Sequence, residues 1–283
     1  ISGDEKKTSI IEVNCETDFG KLKAAEASYR EAIKHKPDFF KAHYNLGILI
    51  ARIGKLKEAE ASYREAIKYN PEFVEAYLNL GNTLKTIGKL DEAETIFLQA
   101  IEIKKDFVEA YNNLGITLER LYKTKEAEDI FTKAITIKPD YFVSHNNLGN
   151  ILKTLGKIKE AKASFKKATE LNPDYSEAHR HLSQLKSFKT KDKQFSQMLE
   201  LYRNKTSSKE EQCHINFVLA KAFEDIGDFA QAFKHFSEGN RLRKKLLEYD
   251  LSKDIELFTQ IESSYSQIKE NSIQIANNTN HLT

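Results

Sequence analysis

Small and aromatic residues recur at a fixed interval of 34 positions through the first two thirds of the chain. Within one interval, Ala59, Tyr63 and Ala66 are separated by four and three positions, so they share one face of a helix. Equivalent triplets begin at Ala25, Ala93, Ala127 and Ala161. An Asn-Leu-Gly sequence precedes each triplet except the first, beginning at Asn45, Asn79, Asn113 and Asn147. The pattern predicts pairs of helices that stack one after another along the chain.

Glycine and proline follow the same interval. Gly54 lies between the two helices of a pair, where it tolerates the positive φ expected at a helix C-terminus. Its equivalents are Gly20, Gly88 and Gly156. All four prolines of the chain are predicted to close a second helix: Pro37, Pro71, Pro139 and Pro173. The pattern departs at three positions, where Lys105 replaces a proline, Tyr122 a turn glycine and Ser183 a helix glycine.

This combination of small, aromatic, glycine and proline positions closely resembles the tetratricopeptide repeat. The resemblance covers a second-helix half at 20–37, four full units beginning near residues 40, 74, 108 and 142, and the opening of another near 176. It implies an all-α fold, a right-handed superhelical solenoid of helix-turn-helix repeats over residues 20–182. Because this fold hosts many binding roles, it does not by itself define a function.

The polar face of the first helices is the candidate binding site. The resemblance implies that this face lines a concave groove, and its recurring asparagine resembles the ladder that holds peptide backbone in long tetratricopeptide superhelices. A carboxamide can meet the C=O and the N–H of a peptide amide together. The predicted peptide-binding residues are Asn45, Asn79, Asn113, Asn147, Asn82, Asn150, Arg52, Arg120, Lys85 and Lys153. The alternative is that the asparagines hydrogen-bond within or between repeats and bind nothing.

The N-terminal segment, residues 1–19, lacks the 34-residue pattern. Its β-branched residues between positions 10 and 13 predict a short strand. Residues 8–19 closely resemble a segment of translation elongation factor Ts, including the Thr-Asp-Phe motif that ends at Phe19. In that family the Asp and the Phe help to displace nucleotide from the partner factor Tu. Because the resemblance stops at this point, we assign the segment no exchange activity.

The C-terminal third contains a less regular repeat. We predict a helical connector over residues 183–212, a degenerate repeat over 213–246, and a C-terminal helix with a loose tail over 247–283. The degenerate repeat retains the apolar, glycine, alanine and aromatic positions of the regular units: Leu219, Phe223, Gly227, Ala232 and Phe236.

The stretch from Ala220 to Asp250 carries a second resemblance, to the connector of bacterial proteins that fuse tetratricopeptide repeats to a sulfotransferase domain. It implies a bacterial parent protein with a catalytic domain beyond residue 283 that binds 3′-phosphoadenylyl sulfate. Two functions are therefore open. The first is a protein-interaction scaffold that binds an extended peptide or protein segment in its concave groove. The alternative is the substrate-binding N-terminal region of a sulfotransferase, and whether the parent is an enzyme stays open because no catalytic motif is found.

Composition narrows the range of partners. A net charge of only +2, from 44 basic and 42 acidic residues, argues against nucleic acid. No apolar run approaches the roughly 20 residues of a membrane span. Two cysteines far apart in sequence, Cys15 and Cys213, favour a reducing, cytoplasmic location. His179 and His181 lack further ligands at metal spacing, so we predict a solvated surface pair, and we expect no metal or cofactor.

Overall fold

A computed structural model describes residues 20–203, 207–247, 255–256, 258–262 and 264–265. Contacts within the chain divide it into two compact units, which meet in sequence between Leu185 and Lys186. The strand predicted between positions 10 and 13 lies outside the described residues, and no strand occurs within them.

The described part of the first unit consists of ten helices. Helix α1 spans residues 20–35. The others are α2 (Phe40–Arg52), α3 (Leu56–Tyr69), α4 (Val74–Thr86), α5 (Leu90–Ile103), α6 (Val108–Arg120), α7 (Thr124–Ile137), α8 (Phe142–Thr154), α9 (Ile158–Leu171) and α10 (Ser176–Gln184). From α2 onward each helix packs against the next. The pairs α2–α3, α4–α5, α6–α7 and α8–α9 are the first to fourth repeats, each with a first and a second helix.

The two helices of a repeat approach closely because a glycine faces an aromatic ring. A Cβ placed on Gly81 would lie 2.5 Å from Cε1 of Phe97, and a Cβ on Gly47 would lie 2.7 Å from Cε1 of Tyr63. Both rings are buried, with 0% and 2% of their residue surface exposed. A methyl group at either glycine would overlap the ring, so the glycine of Asn-Leu-Gly sets the spacing of the helices.

The turn within each repeat requires a residue in the left-handed region. Gly88 has a φ of +86°, which glycine adopts without a steric penalty. Tyr122 occupies the same position in the third repeat with a φ of 60°, and 91% of its surface is exposed. The tyrosine therefore carries backbone strain with almost no burial to compensate it.

The second unit contains α11 (Lys193–Arg203), α12 (Lys209–Asp225) and α13 (Phe229–Leu246), with further helical residues at 255–256, 258–262 and 264–265. Helices α12 and α13 pack as a pair across a turn in which Gly227 has a φ of +83°. A reciprocal capping box begins α12, because the Ser208 hydroxyl accepts from the Glu211 N–H while the Glu211 carboxylate accepts from the Ser208 N–H. The core of the unit includes Phe188, Phe195, Met198, Ile215, Leu219 and Phe223.

The described residues are helical in both units, as predicted from the sequence. None of the described helices combines the length and the apolar character that crossing a bilayer requires. The finer boundaries predicted at residues 182, 212 and 246 stay predictions.

Candidate functional site

The first helices lie side by side along one face of the first unit. Helix α2 contacts α4, α4 contacts α6, and α6 contacts α8. No comparable contact joins the second helices to one another within the described part of the chain. The first helices thus form the more closely spaced row. We call the polar surface of this row, which carries Asn45, Asn79, Asn113 and Asn147 at one repeat position, the inner face.

Two of the recurring asparagines bond to the preceding repeat. Nδ2 of Asn79 donates to the Tyr44 hydroxyl at 3.1 Å. Nδ2 of Asn147 donates to Oδ1 of Asn112 at 2.9 Å. The Oδ1 atoms of Asn79 and Asn147 accept no hydrogen bond from any described residue. Each amide therefore links two repeats and retains an acceptor that a ligand could use.

Asn113 is linked to a lysine of the second repeat. Nζ of Lys85 donates to Oδ1 of Asn113 at 2.7 Å, and Nδ2 of Asn113 donates to the Glu109 carbonyl at 2.9 Å. Nη1 of Arg120 in turn donates to the Lys85 carbonyl at 2.8 Å. Burial, with a smaller contribution from the charge of Arg120, lowers the pKa of Lys85 to about 8. The two cations lie close together, and neither forms an ion pair with a described carboxylate.

The other predicted binding residues lie along the same row of helices. Arg52 is exposed and Lys153 is half-buried, and neither forms an ion pair with a described residue. Asn45, Asn82 and Asn150 are half-buried, and their side chains make no hydrogen bond within the part of the chain that the structure describes. Polar groups without an internal partner are thus found in the first, second and fourth repeats.

The prediction of a solvated histidine pair was wrong. His179 and His181 are only 1% and 5% exposed. Nε2 of His179 lies 2.9 Å from the Pro173 carbonyl, and Nδ1 of His181 lies 3.0 Å from Oδ1 of Asn146. The imidazoles are buried because α10 packs against the last repeat, where the ring of His181 lies 5.1 Å from that of Phe165. Among the described residues no three His, Cys, Asp or Glu side chains are grouped to hold a metal ion.

Charged residues on the side of the second helices form ion pairs between repeats, which the 34-residue pattern does not specify. Nη2 of Arg64 lies 2.8 Å from a Glu60 oxygen and 2.7 Å from an oxygen of Glu92 in the adjacent repeat. Nζ of Lys89 also lies 3.1 Å from Glu60. The equivalent lysine pairs are Lys123–Glu94 and Lys157–Glu128, both at 2.7 Å. Exposed pairs of this kind contribute about 1 kcal/mol or less each.

Comparisons with known proteins agree with this architecture. A family model described as the middle TPR-like domain of cilia and flagella-associated protein 70 matches residues 13–128, and the tetratricopeptide repeat model matches residues 142–175. No curated protein matches the chain. The fold is similar to that of a tetratricopeptide repeat protein from Parabacteroides merdae, with a TM-score of 0.58 and 17% identity over 85% of this chain and 94% of that one. It is also similar to PilF of Pseudomonas aeruginosa, with a TM-score of 0.55 and 21% identity over 77% of this chain and 96% of that one.

The chain therefore contains tetratricopeptide repeats, and the predicted all-α solenoid fold is confirmed. Tetratricopeptide repeats generally bind protein or peptide partners, so the class supports a protein-interaction scaffold.

Proposed function

We propose that the inner face of the first unit binds an extended, acidic protein segment by its backbone. The observation that carries this proposal is a row of half-buried side-chain amides with unused hydrogen-bonding groups beside cations without ion-pair partners among the described residues. Peptide binding would satisfy the amides, and acidic side chains would neutralise the cations.

The amides are suited to binding the peptide backbone rather than particular side chains. Asn79 and Asn147 each retain an Oδ1 acceptor and a second Nδ2 proton after their bonds to the preceding repeat. These internal bonds also fix the orientation of the amides, so less conformational entropy is lost when a ligand binds. The internal bonds and the proposed ligand bonds are therefore compatible. The alternative, in which the asparagines bond only within or between repeats, accounts for only part of the hydrogen-bonding capacity of these two amides.

The cations give the groove a preference for acidic ligands. Each first helix ends with a basic residue that faces no described carboxylate within ion-pair distance: Arg52, Lys85, Arg120 and Lys153. These residues also stabilise the C-terminal ends of their helices through the helix dipole. A bound carboxylate near Lys85 would favour the charged form of this amine, whose pKa is lowered to about 8. Affinity should therefore fall as the pH rises through about 8.

A selection from a random peptide library tests the proposal. We expect the wild-type chain to enrich extended acidic sequences, and the variant Asn79→Ala/Asn113→Ala to bind them about tenfold more weakly, because two hydrogen bonds are lost. Wild type and variant are compared below the unfolding transition of each. If neither protein enriches any sequence, the inner face is not a peptide-binding site.

Matched charge variants separate specific recognition from general attraction. Arg52→Gln/Arg120→Gln removes two cations from the inner face, while Lys125→Gln/Lys162→Gln removes two exposed cations from the second helices. Only the first pair should weaken binding of the selected peptides by severalfold and reduce its salt dependence. Equal effects of both pairs would mean that net charge, not the groove, determines the affinity.

The alternative function, a substrate-binding region of a sulfotransferase, rests on the resemblance of residues 220–250 to a bacterial connector. It stays a prediction, as do the bacterial origin, the cytoplasmic location and the resemblance of residues 8–19 to elongation factor Ts. The natural gene provides the test. A downstream reading frame that encodes a strand, a Gly/Ser/Thr-rich loop and a helix would support the sulfotransferase, and a different downstream sequence would contradict it.

A further inference from the structure

A groove on the second helices of the first unit differs from its equivalents. It lies between α5 and α7, encloses a cavity of about 240 Å³, and has a floor of Leu114 and Leu118 from α6. Leu98 and Ile130 line its walls, and 49% of the Leu98 surface is exposed. The carboxylates at its rim come from Glu94, Glu126 and Asp129, and Lys133 also lines it. This site is separate from the inner face.

The preceding groove, between α3 and α5, shows what the equivalent positions normally hold. Thirty-four residues before Leu98 is Arg64, whose guanidinium bridges Glu60 of its own helix and Glu92 of the next repeat. These two carboxylates are the equivalents of Glu94 and Glu126. The same arrangement begins one repeat earlier, where Arg30 lies 3.4 Å from Glu58.

Leucine at position 98 leaves this arrangement without its cation. Glu126 forms no ion pair with another described residue, and Glu94 is paired only on one side, with Lys123 at 2.7 Å. The apolar surface beneath is also less covered, since Ile96 is 9% exposed in the preceding groove and its equivalent Ile130 is half-buried. The groove between α5 and α7 thus lacks an arginine that bridges its two carboxylates, and Lys133, which also lines it, forms no ion pair with another described residue.

We propose that this groove binds an arginine side chain presented by a partner protein. The guanidinium takes the place that Arg64 occupies one repeat earlier and bridges Glu94 and Glu126. Its methylene groups lie on Leu98, Leu118 and Ile130. Arginine is favoured over lysine because a planar guanidinium can donate to two carboxylates at once, whereas an ammonium group acts as a single point of charge.

The next groove along the chain provides an internal control. Between α7 and α9 the arginine position is Thr132, and the position equivalent to Ile130 is Ser164. Glu160 is exposed there at the position equivalent to Glu126, and Leu148 and Leu152 are the equivalents of the floor residues, but the walls lack the leucine and the isoleucine. A carboxylate without apolar walls should bind an arginine side chain more weakly, because the methylene groups of the arginine have less apolar surface to cover.

Titration with acetyl-arginine amide, followed by the methyl resonances of Leu98, Leu118 and Ile130, tests the proposal. We expect saturable shifts at these methyls, and we expect acetyl-citrulline amide, which is uncharged but has nearly the same shape, to cause none. Glu126→Gln should weaken binding about threefold to fivefold, and the control Glu160→Gln should not change it. Leu98→Arg should abolish binding, because the new arginine fills the groove as Arg64 does.

Three results would overturn the proposal. These are the absence of saturable shifts at the groove methyls, equal shifts with citrulline amide, and unchanged binding by the Leu98→Arg variant. A circular dichroism spectrum of each variant checks that its helices are retained. Since the inner-face asparagines take no part, Asn79→Ala/Asn113→Ala should bind acetyl-arginine amide as wild type does, which separates this site from the proposed peptide groove.

Discussion

The helix pair α12–α13 and the regular repeats achieve close helix packing with opposite arrangements of glycine and ring. In the second repeat, Gly81 on the first helix faces Phe97 on the second. In the pair α12–α13, Gly239 on the second helix faces Phe217 on the first. A Cβ would lie 2.5 Å from the ring at Gly81 but 3.1 Å at Gly239. Close packing thus requires a small residue opposite a ring on either helix, and the ring leaves more space at Gly239 than at Gly81.

An aromatic residue at the same repeat position is exposed to a different degree in the two units. Phe236 occupies the position of Phe97, with Gly227 and Gly88 as the matching turn residues. Phe97 is fully buried because α6 packs against α5, whereas Phe236 on α13 is 50% exposed. An aromatic at this position is therefore buried by the repeat that follows it as well as by its own pair.

The largest expected effect is the loss of stability in Gly81→Ala. Alanine favours a helix by about 1 kcal/mol over glycine, but its methyl group would overlap the buried ring of Phe97, so we expect a net loss of about 2 kcal/mol. Gly239→Ala meets a more distant ring, so the two contributions should nearly cancel there. Urea unfolding followed by circular dichroism measures both variants.

The double variant Gly81→Ala/Phe97→Leu sharpens this comparison. Leucine makes room for the added methyl group, so the cost of the two changes together should be less than the sum of the separate costs. Equal losses for Gly81→Ala and Gly239→Ala, or additive costs in the double variant, would contradict the role of the glycine in setting the helix spacing.

A smaller gain in stability is expected from Tyr122→Gly. Glycine removes the strain of a φ near 60°, while its greater freedom in the unfolded chain offsets part of the gain, so we expect about 0.5–1 kcal/mol. Gly227 holds this position in α12–α13 and already avoids the strain. Tyr122→Ala serves as the control, because it removes the exposed ring but retains a Cβ at positive φ. A gain of similar size in thermal unfolding for both variants would show that the strain is not the cause.

The helix pairs and their order could be predicted from the 34-residue interval, because residues at equivalent positions of successive repeats pack in the same way. The interval also contained a signal that we did not use. His43, Tyr77, His145 and His179 recur on it, and each hydrogen-bonds the carbonyl of the proline six residues earlier. This pattern could have predicted the burial of His179. The burial of His181 could not be predicted in the same way, because its contact with Asn146 forms only when α10 packs on the last repeat.

The candidate site was less predictable than the fold. The repeat position of the asparagines places them on the inner face, but their partners differ between repeats, since Asn79 bonds to Tyr44 and Asn113 to Lys85. Such contacts join residues 28 to 35 positions apart and depend on side-chain rotamers, which the hydrophobic pattern does not specify.

The smallest expected effect is a pH dependence confined to the second unit. Burial, with a smaller contribution from Lys234, lowers the pKa of His235 from 6.5, and its Nδ1 lies 2.9 Å from Oδ1 of the buried Asn216. Because the unfolded chain binds the proton more readily, the contribution of His235 to the free energy of unfolding should be fully present above pH 6.5. It should decrease as the pH falls through 6.5 toward the lowered pKa. Hydrogen exchange of α12 measures this effect.

The variant His235→Gln provides the control for this pH dependence. It should flatten the dependence in α12 and leave the exchange of α4 and α6 unchanged. A dependence that persists in the variant would contradict the assignment to His235.

The most direct test of the proposed function compares Asn79→Ala with Tyr44→Phe. Both variants remove the bond between Asn79 and the Tyr44 hydroxyl, but Tyr44→Phe retains the amide for a ligand. Isothermal titration with one acidic peptide from the library gives the affinity of each. We predict that Tyr44→Phe binds within about twofold of wild type and that Asn79→Ala loses about fivefold, the value of one hydrogen bond. Equal affinities of the two variants would show that Asn79 acts only between repeats and does not contact the peptide.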